Sequence, residues 1–285
     1  MKNESHREFR LILRMIGKSK MNIVAIGIIV VLYIIAIIAP YISPYDPLKL
    51  DTSNILAKPS GTHLLGTDAV GRDLFSRLLY GTRISMTAGV VVVAFIVIIG
   101  LPIGSIAGYF GGRLDDLLMR ISDVLMAFPS LILCILFAYV IGRGVVGAVI
   151  AVSLVEWTTI ARLVRGAVLL EKEKEYVMAA RVLGKGDLSI LFGEITPNAV
   201  YPVATAAMLL IGGAIIELAG LSFLGVGTQP PSPDLGVMVS EGRQYLTSQP
   251  WISVVPGVVI IIAVLMFNLI GDALRDALDP RLRRL

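Results

Sequence analysis

The sequence predicts an all-α polytopic membrane protein with six transmembrane helices and one short cytoplasmic helix between spans four and five. Three observations carry this. The 285 residues are 56% hydrophobic and 16% charged, whereas soluble domains carry roughly 25% charged residues; mean hydropathy is +0.82. Five apolar runs reach the roughly 20 residues that cross about 30 Å of hydrocarbon, and a sixth is apolar over its first half. Lysines and arginines gather in alternate connecting segments.

Residues 1–20 read as a cytoplasmic N-terminal amphipathic segment. Within HREFRLILRMIGK (6–18), Phe9, Ile12, Leu13 and Ile16 share a helix face and Arg7, Arg10 and Arg14 lie elsewhere, a pattern suited to the inner membrane surface. The transmembrane domain is expected over 21–285. Its first span, about 21–42, is too long for a signal-peptide core and has no small-residue cleavage site after it. The outer segment 44–83 opens with SPYDP, where Pro44 and Pro47 stop the helix. Further on, TDAVGRDLFSRLLYGTR predicts a separate short helix. Thr67 or Asp68 would cap it, Leu74, Phe75, Leu78 and Leu79 would be its apolar side, and Gly81 its end.

The second span, about 84–110, carries Gly100, Gly104 and Gly108, with Gly112 continuing the four-residue repeat and Pro102 inside it. Small residues at that spacing let two helices meet backbone to backbone, as a static contact or as one that pivots during gating. The third span, about 124–141, contains the single cysteine, Cys134, which packs as a small hydrophobe. The fourth, about 145–163, is apolar through Val155 and then reads Glu156, Trp157, Thr158, Thr159. The fifth, about 200–220, carries Glu217. After it, SFLGVGTQPPSPDLGVMVSEGRQYLTSQPW is too apolar for a linker and too broken for a span, so it reads as a re-entrant or mouth-lining segment. The sixth span is about 252–271.

With both termini in the cytoplasm, the inner segments 1–20, 111–123, 161–192 and 272–285 hold 18 of the 25 Lys and Arg, and the outer segments hold 7. This bias supports the orientation and places residues 171–198 in the cytoplasm; the expected location is the plasma (inner) membrane. The net charge of +4 then needs only membrane lipid as its partner, not nucleic acid.

Residues 171–198 stand out because they are polar and helix-prone between two spans. Tyr176, Ala179, Ala180 and Leu183 fall at i, i+3, i+4 and i+7, one helix face, and Gly184 supplies the stop. Two alanines make that face shallow, a shape that slots into a groove on a soluble protein.

Catalytic chemistry is missing. A phosphate loop needs G-x-x-x-x-G-K-[ST], but Ile12 and Ala179 stand where the first glycine would precede Gly17-Lys18 and Gly184-Lys185. The two histidines, His6 and His63, are far apart, and no Cys/His cluster has metal-ligand spacing. No cofactor, resident metal or catalytic residue is expected. Glu156 and Glu217 are candidates for the wall of a transport pathway, because carboxylates within spans usually face a cavity or a partner.

At this point a resemblance becomes visible. Ala179, Ala180, Gly184 and Pro197, in the form EYV-x-AAR-x-x-G followed by PN, resemble the coupling motif of ATP-binding-cassette importer permeases of the dipeptide, oligopeptide and nickel family. GTDAVGRDLFSRLLYGTRIS from Gly66, LSFLGVGTQPPSPDLG from Leu221 and FNLIGDALRDALDPRLR from Phe267 are similar to the same family in the same order, of its second permease subunit type. The chain departs from the usual pattern at Met178, Thr196, Asp234 and Ile252. The resemblance implies a coupling helix docked by Tyr176, Ala179, Ala180, Arg181 and Gly184. It also implies a homologous second permease, two cytoplasmic ATPase subunits that hold ATP and magnesium, and an extracytoplasmic substrate-binding protein. The expected cargo is di- or oligopeptide, with nickel or chelated nickel as the alternative. An ion-coupled secondary carrier using Glu156 and Glu217 is the remote alternative.

Overall fold

The computed structural model describes residues 19–278. The amphipathic segment expected over 6–18 lies outside the described residues. Regular structure among the described residues is helical, apart from one bridge pairing Thr67 with Asp73. Five helices are long and apolar enough to cross a membrane, and a bent helix pair makes a possible sixth crossing.

The first is α1 (Lys20–Ile42), which carries no charge after Lys20. Next comes α2 (Leu74–Phe110), 37 residues without a break and about 55 Å long at helical rise. The short helix expected to end at Gly81 is therefore the opening of this long one. Its cap is Asp73, whose carboxylate accepts from the Ser76 amide at 2.8 Å, not Thr67 or Asp68. Gly81 is buried within α2 because a Cβ there would lie 3.2–3.3 Å from Leu235. It marks a close approach, not a stop.

The third expected span is broken. α3 (Gly112–Met126) and α4 (Ser130–Ile141) meet at 95°. Pro129 causes the break, since it has no amide hydrogen and disfavours helical geometry at the residue before it. α4 alone, at 12 residues, is about 18 Å long, short of the roughly 30 Å hydrocarbon layer. Gly111 and Gly112 form the joint between α2 and α3 with φ of 64° and 58°. Gly112 therefore turns the chain and makes no helix contact.

α5 (Val145–Glu171) continues past the expected span end. The polar stretch then folds as α6 (Glu175–Val182), α7 (Asp187–Ile190), a π-turn over Leu191–Ile195 and α8 (Thr196–Ala199). α9 (Tyr201–Phe223), α10 (Leu235–Gly242) and α11 (Trp251–Leu278) complete the helices among the described residues. α2 sits at the centre, packed most extensively on α5 and also on α1 and α9, and α9 packs on α11. The core between them includes Met86, Val92, Ile96, Val152, Ile160, Val164 and Ile215, all buried.

At one end of the bundle, the segment before α2 and α10 close over each other. Arg72 pairs with Asp68 at 2.6 Å and reaches both Glu241 oxygens at 3.0 Å. Arg77, buried, donates to Glu241 at 2.9 Å and to the Pro231 carbonyl at 3.1 Å. Asp234 caps α10 by accepting from the Gly236 and Val237 amides. The opposite end of α2 meets α6 and α7.

Candidate functional site

The 171–198 stretch is a helical appendage with a defined stop. After α6, Gly184 takes φ 77°. The Lys185 amide bonds to the Ala180 carbonyl at 3.2 Å and the Gly184 amide to the Arg181 carbonyl at 3.0 Å. This pair of bonds is a Schellman stop, and glycine suits its left-handed residue. Beyond the stop, Ile190, Leu191 and Ile195 are fully buried and return the chain to the core.

The face read from the sequence is divided by the fold. Val177 and Ala180 turn inward, 0% and 6% exposed. Met178, Ala179, Val182 and Leu183 turn outward, with Val182 88% and Leu183 79% exposed. In an eight-residue helix with alanines on two sides, burial of the larger Val177 sets the rotation, a contribution that periodicity alone does not contain. Tyr176 is half-buried. Its hydroxyl donates to Glu171 at 2.7 Å and accepts from Asn198 at 3.3 Å. Burial first, and the Glu171 bond next, push its phenol up to about 12, so it stays a protonated donor. Arg181 lies over the Tyr109 ring of this same chain, 5.7 Å from the centroid. Tyr109 donates its hydroxyl to Asp187 at 2.7 Å. Tyr109 and Asp187 were not singled out by sequence, because 78 positions separate them.

Gly100, Gly104 and Gly108 form one continuous contact on α5. A Cβ at Gly100 would lie 2.7 Å from the Trp157 carbonyl oxygen, at Gly104 2.3 Å from that of Ala161, and at Gly108 2.9 Å from that of Arg165. The nearest obstructing atom is a backbone carbonyl oxygen at every step, so side-chain rotation alone could not make room. Near the same end, Arg165 makes a two-pronged ion pair with Asp115 at 2.6 Å, tying α3 to α5, and Arg162 pairs with Asp123.

Glu156 on α5 and Glu217 on α9 come within electrostatic reach of each other and of buried Cys134. The Ser130 hydroxyl, at the start of α4, donates to Glu217 at 3.0 Å, and Thr159 reaches Glu156 at 3.4 Å. Neither carboxylate is in an ion pair among the described residues. The broken pair α3/α4 thus delivers a hydroxyl, from a position with no distinguishing sequence signal, to a place where two helices present carboxylates.

Comparison with known proteins gives these features a setting. Residues 100–284 match the family described as binding-protein-dependent transport system inner membrane component. Residues 8–59 match the N-terminal transmembrane domain of oligopeptide transport permease C. The dipeptide transport system permease protein of Haemophilus influenzae is 41% identical over 267 residues, covering 91% of this chain and 90% of that protein. The glutathione transport system permease protein of Pectobacterium atrosepticum is 44% identical over 262 residues, covering 91% and 87%. The nickel transport system permease protein of Escherichia coli K12 is 39% identical over 258 residues, covering 90% and 93%. Among solved structures, a chain of the inward-facing MetNI methionine ABC transporter shares the fold. Its TM-score is 0.59 at 22% identity, covering 72% of this chain and 98% of that one.

Proposed function

The chain belongs to the family of binding-protein-dependent inner-membrane transport components and is a permease subunit of an ABC importer; on that premise we propose that it forms half of a translocation pathway for di- or oligopeptides and takes its power from separate ATPase subunits through α6. The observation that carries the coupling role is the outward patch of Met178, Ala179, Val182 and Leu183 on a short helix that hangs from the bundle. Apolar side chains this exposed, outside the lengths suited to lipid, call for a protein partner. Val177 and Ala180 seat the helix, Tyr176 and Gly184 shape its two ends, and Ala179 with its exposed neighbours fills the groove of the partner. This end of the bundle faces the cytoplasm with both termini, and the end closed by Arg72, Arg77 and Glu241 faces the delivery protein.

ATP and magnesium sit on the two ATPase subunits, since this sequence holds no phosphate loop. A homologous second permease supplies the other half of the pathway. Contact through Gly100, Gly104 and Gly108 is the surface along which α2 and α5 shift as the pathway opens, and Glu156 and Glu217 line its wall. Peptide cargo is supported by relatives named for dipeptides and glutathione. The nickel permease relative favours chelated nickel as the second reading.

Replacing Leu183 by Glu tests the coupling role. It should abolish stimulated ATP hydrolysis in the reconstituted complex while the chain still inserts and pairs with the second permease. Undiminished stimulation refutes the role of α6. The cargo is read by mass spectrometry and metal analysis of the ligand on the cognate delivery protein; a bound nickel chelate would replace the peptide reading.

A further inference from the structure

We propose that Tyr109 is the residue through which α6 moves α2, a positioning residue for the transport cycle; this rests on the reading of α6 as the ATPase contact. Tyr109 is the penultimate residue of α2 and is 8% exposed. It is held from both sides of the Gly184 stop. Arg181, in the last turn of α6, covers its ring at 5.7 Å, and Asp187, the first residue of α7, accepts its hydroxyl at 2.7 Å. The Schellman bonds close the turn from Ala180 to Lys185, and only Gly186 separates that turn from Asp187. Displacing α6 therefore displaces both partners of the phenol together.

The other attachments of α6 do not grip α2 in this way. The Tyr176 hydroxyl bonds Glu171 at the end of α5 and Asn198 in α8, and Val177 and Ala180 are apolar contacts, which are non-directional and allow sliding. A hydrogen bond to a carboxylate is directional and charge-assisted, so it transmits a pull as well as a push. Tyr109 also stands beside Gly108, the last member of the glycine contact. Lys172 donates to the Gly108 carbonyl at 3.1 Å and steadies the same turn. Pro102 lies between Gly100 and Gly104 and donates no hydrogen bond to the turn before it, so α2 has its softest point within the glycine contact. A pull on Tyr109 then swings the last two turns of α2 along the carbonyls of Ala161 and Arg165.

The test uses the full complex in proteoliposomes, with second permease, ATPases and delivery protein, and reads cargo moved per ATP hydrolysed. Tyr109→Phe keeps the ring and the Arg181 contact and removes only the hydroxyl. The ratio is expected to fall roughly tenfold, the scale of one charge-assisted hydrogen bond. Asp187→Ala should match it, and Asp187→Asn, which keeps an acceptor oxygen, should recover most of the ratio. A purely structural role would lower transport and hydrolysis in proportion and leave the ratio alone, which overturns the proposal. Leu183→Glu, run in parallel, separates the two readings. If it abolishes stimulated hydrolysis while Tyr109→Phe leaves the ratio unchanged, α6 keeps its role and Tyr109 loses its own. If neither variant changes anything, the reading of α6 fails with it.

Discussion

The two ends of α2 are fastened in opposite ways. At its start, Arg77 is 1% exposed and locked among Glu241, Asp68 and the Pro231 carbonyl, with Arg72 bridging the same carboxylates. At its finish, Tyr109 is held by two exposed partners, and Lys185–Glu194 nearby is an exposed ion pair. Removing one member of a buried ion pair strands a charge without water, whereas losing an exposed one leaves water to replace it. One end is thus fixed by buried charge, and the other by contacts whose partners are exposed to water. A helix anchored at one end and pulled at the other can transmit a stroke along its length.

The largest blow to this contrast should come from Arg77→Met. It removes the bonds to Glu241 and the Pro231 carbonyl while Arg72 still holds Glu241, and is expected to destabilise the protein by about 3 kcal/mol, read as a lower unfolding midpoint in detergent. An unchanged midpoint would mean that the anchored end is not anchored by charge. Gly104→Ala comes next. Its Cβ would sit 2.3 Å from a carbonyl oxygen, so α2 and α5 must part, at about 1–3 kcal/mol. Disulfide trapping between cysteines introduced on α2 and α5 should slow accordingly; equal trapping would show that the contact is loose.

Ser130→Ala removes one hydrogen bond to Glu217 and is expected to cost about 1 kcal/mol, with a modest change in transport rate measured in proteoliposomes. A complete loss of transport would raise Ser130 from support to pathway residue. Lys185→Ala should be near neutral, within about 1 kcal/mol, by the same unfolding assay. A fall as large as that of Arg77→Met would erase the difference between the two ends.

Much of this is legible in the sequence. The all-helical membrane class follows from composition, and the repeat of Gly100, Gly104 and Gly108 announced a close helix contact. What escaped was each feature created by chain segments far apart. Glu241 lies 164 positions from Arg77, and nothing near either residue names the other. Gly81 looked like a stop because glycine usually is one near a loop, yet it is small to admit Leu235. Gly112 continued the repeat in sequence and left it in space, because Gly111 and Gly112 turn the chain. Pro129 was visible, but its place within an apolar run hid a 95° bend. In the 171–198 segment the periodicity put Ala180 and Leu183 on one face, yet Ala180 points into the bundle and Leu183 points away.

The sequence by itself determined that this chain is a bundle of membrane helices with a polar helical excursion. Transfer free energy, helical periodicity and proline or glycine breaks are local quantities, summed along the chain. Only the tertiary structure decided which carbonyls face the glycines, which cations are shielded from water, and which side of α6 is exposed. Those outcomes depend on competition among distant segments for the same buried space, and close packing resolves that competition only when all of them are in place.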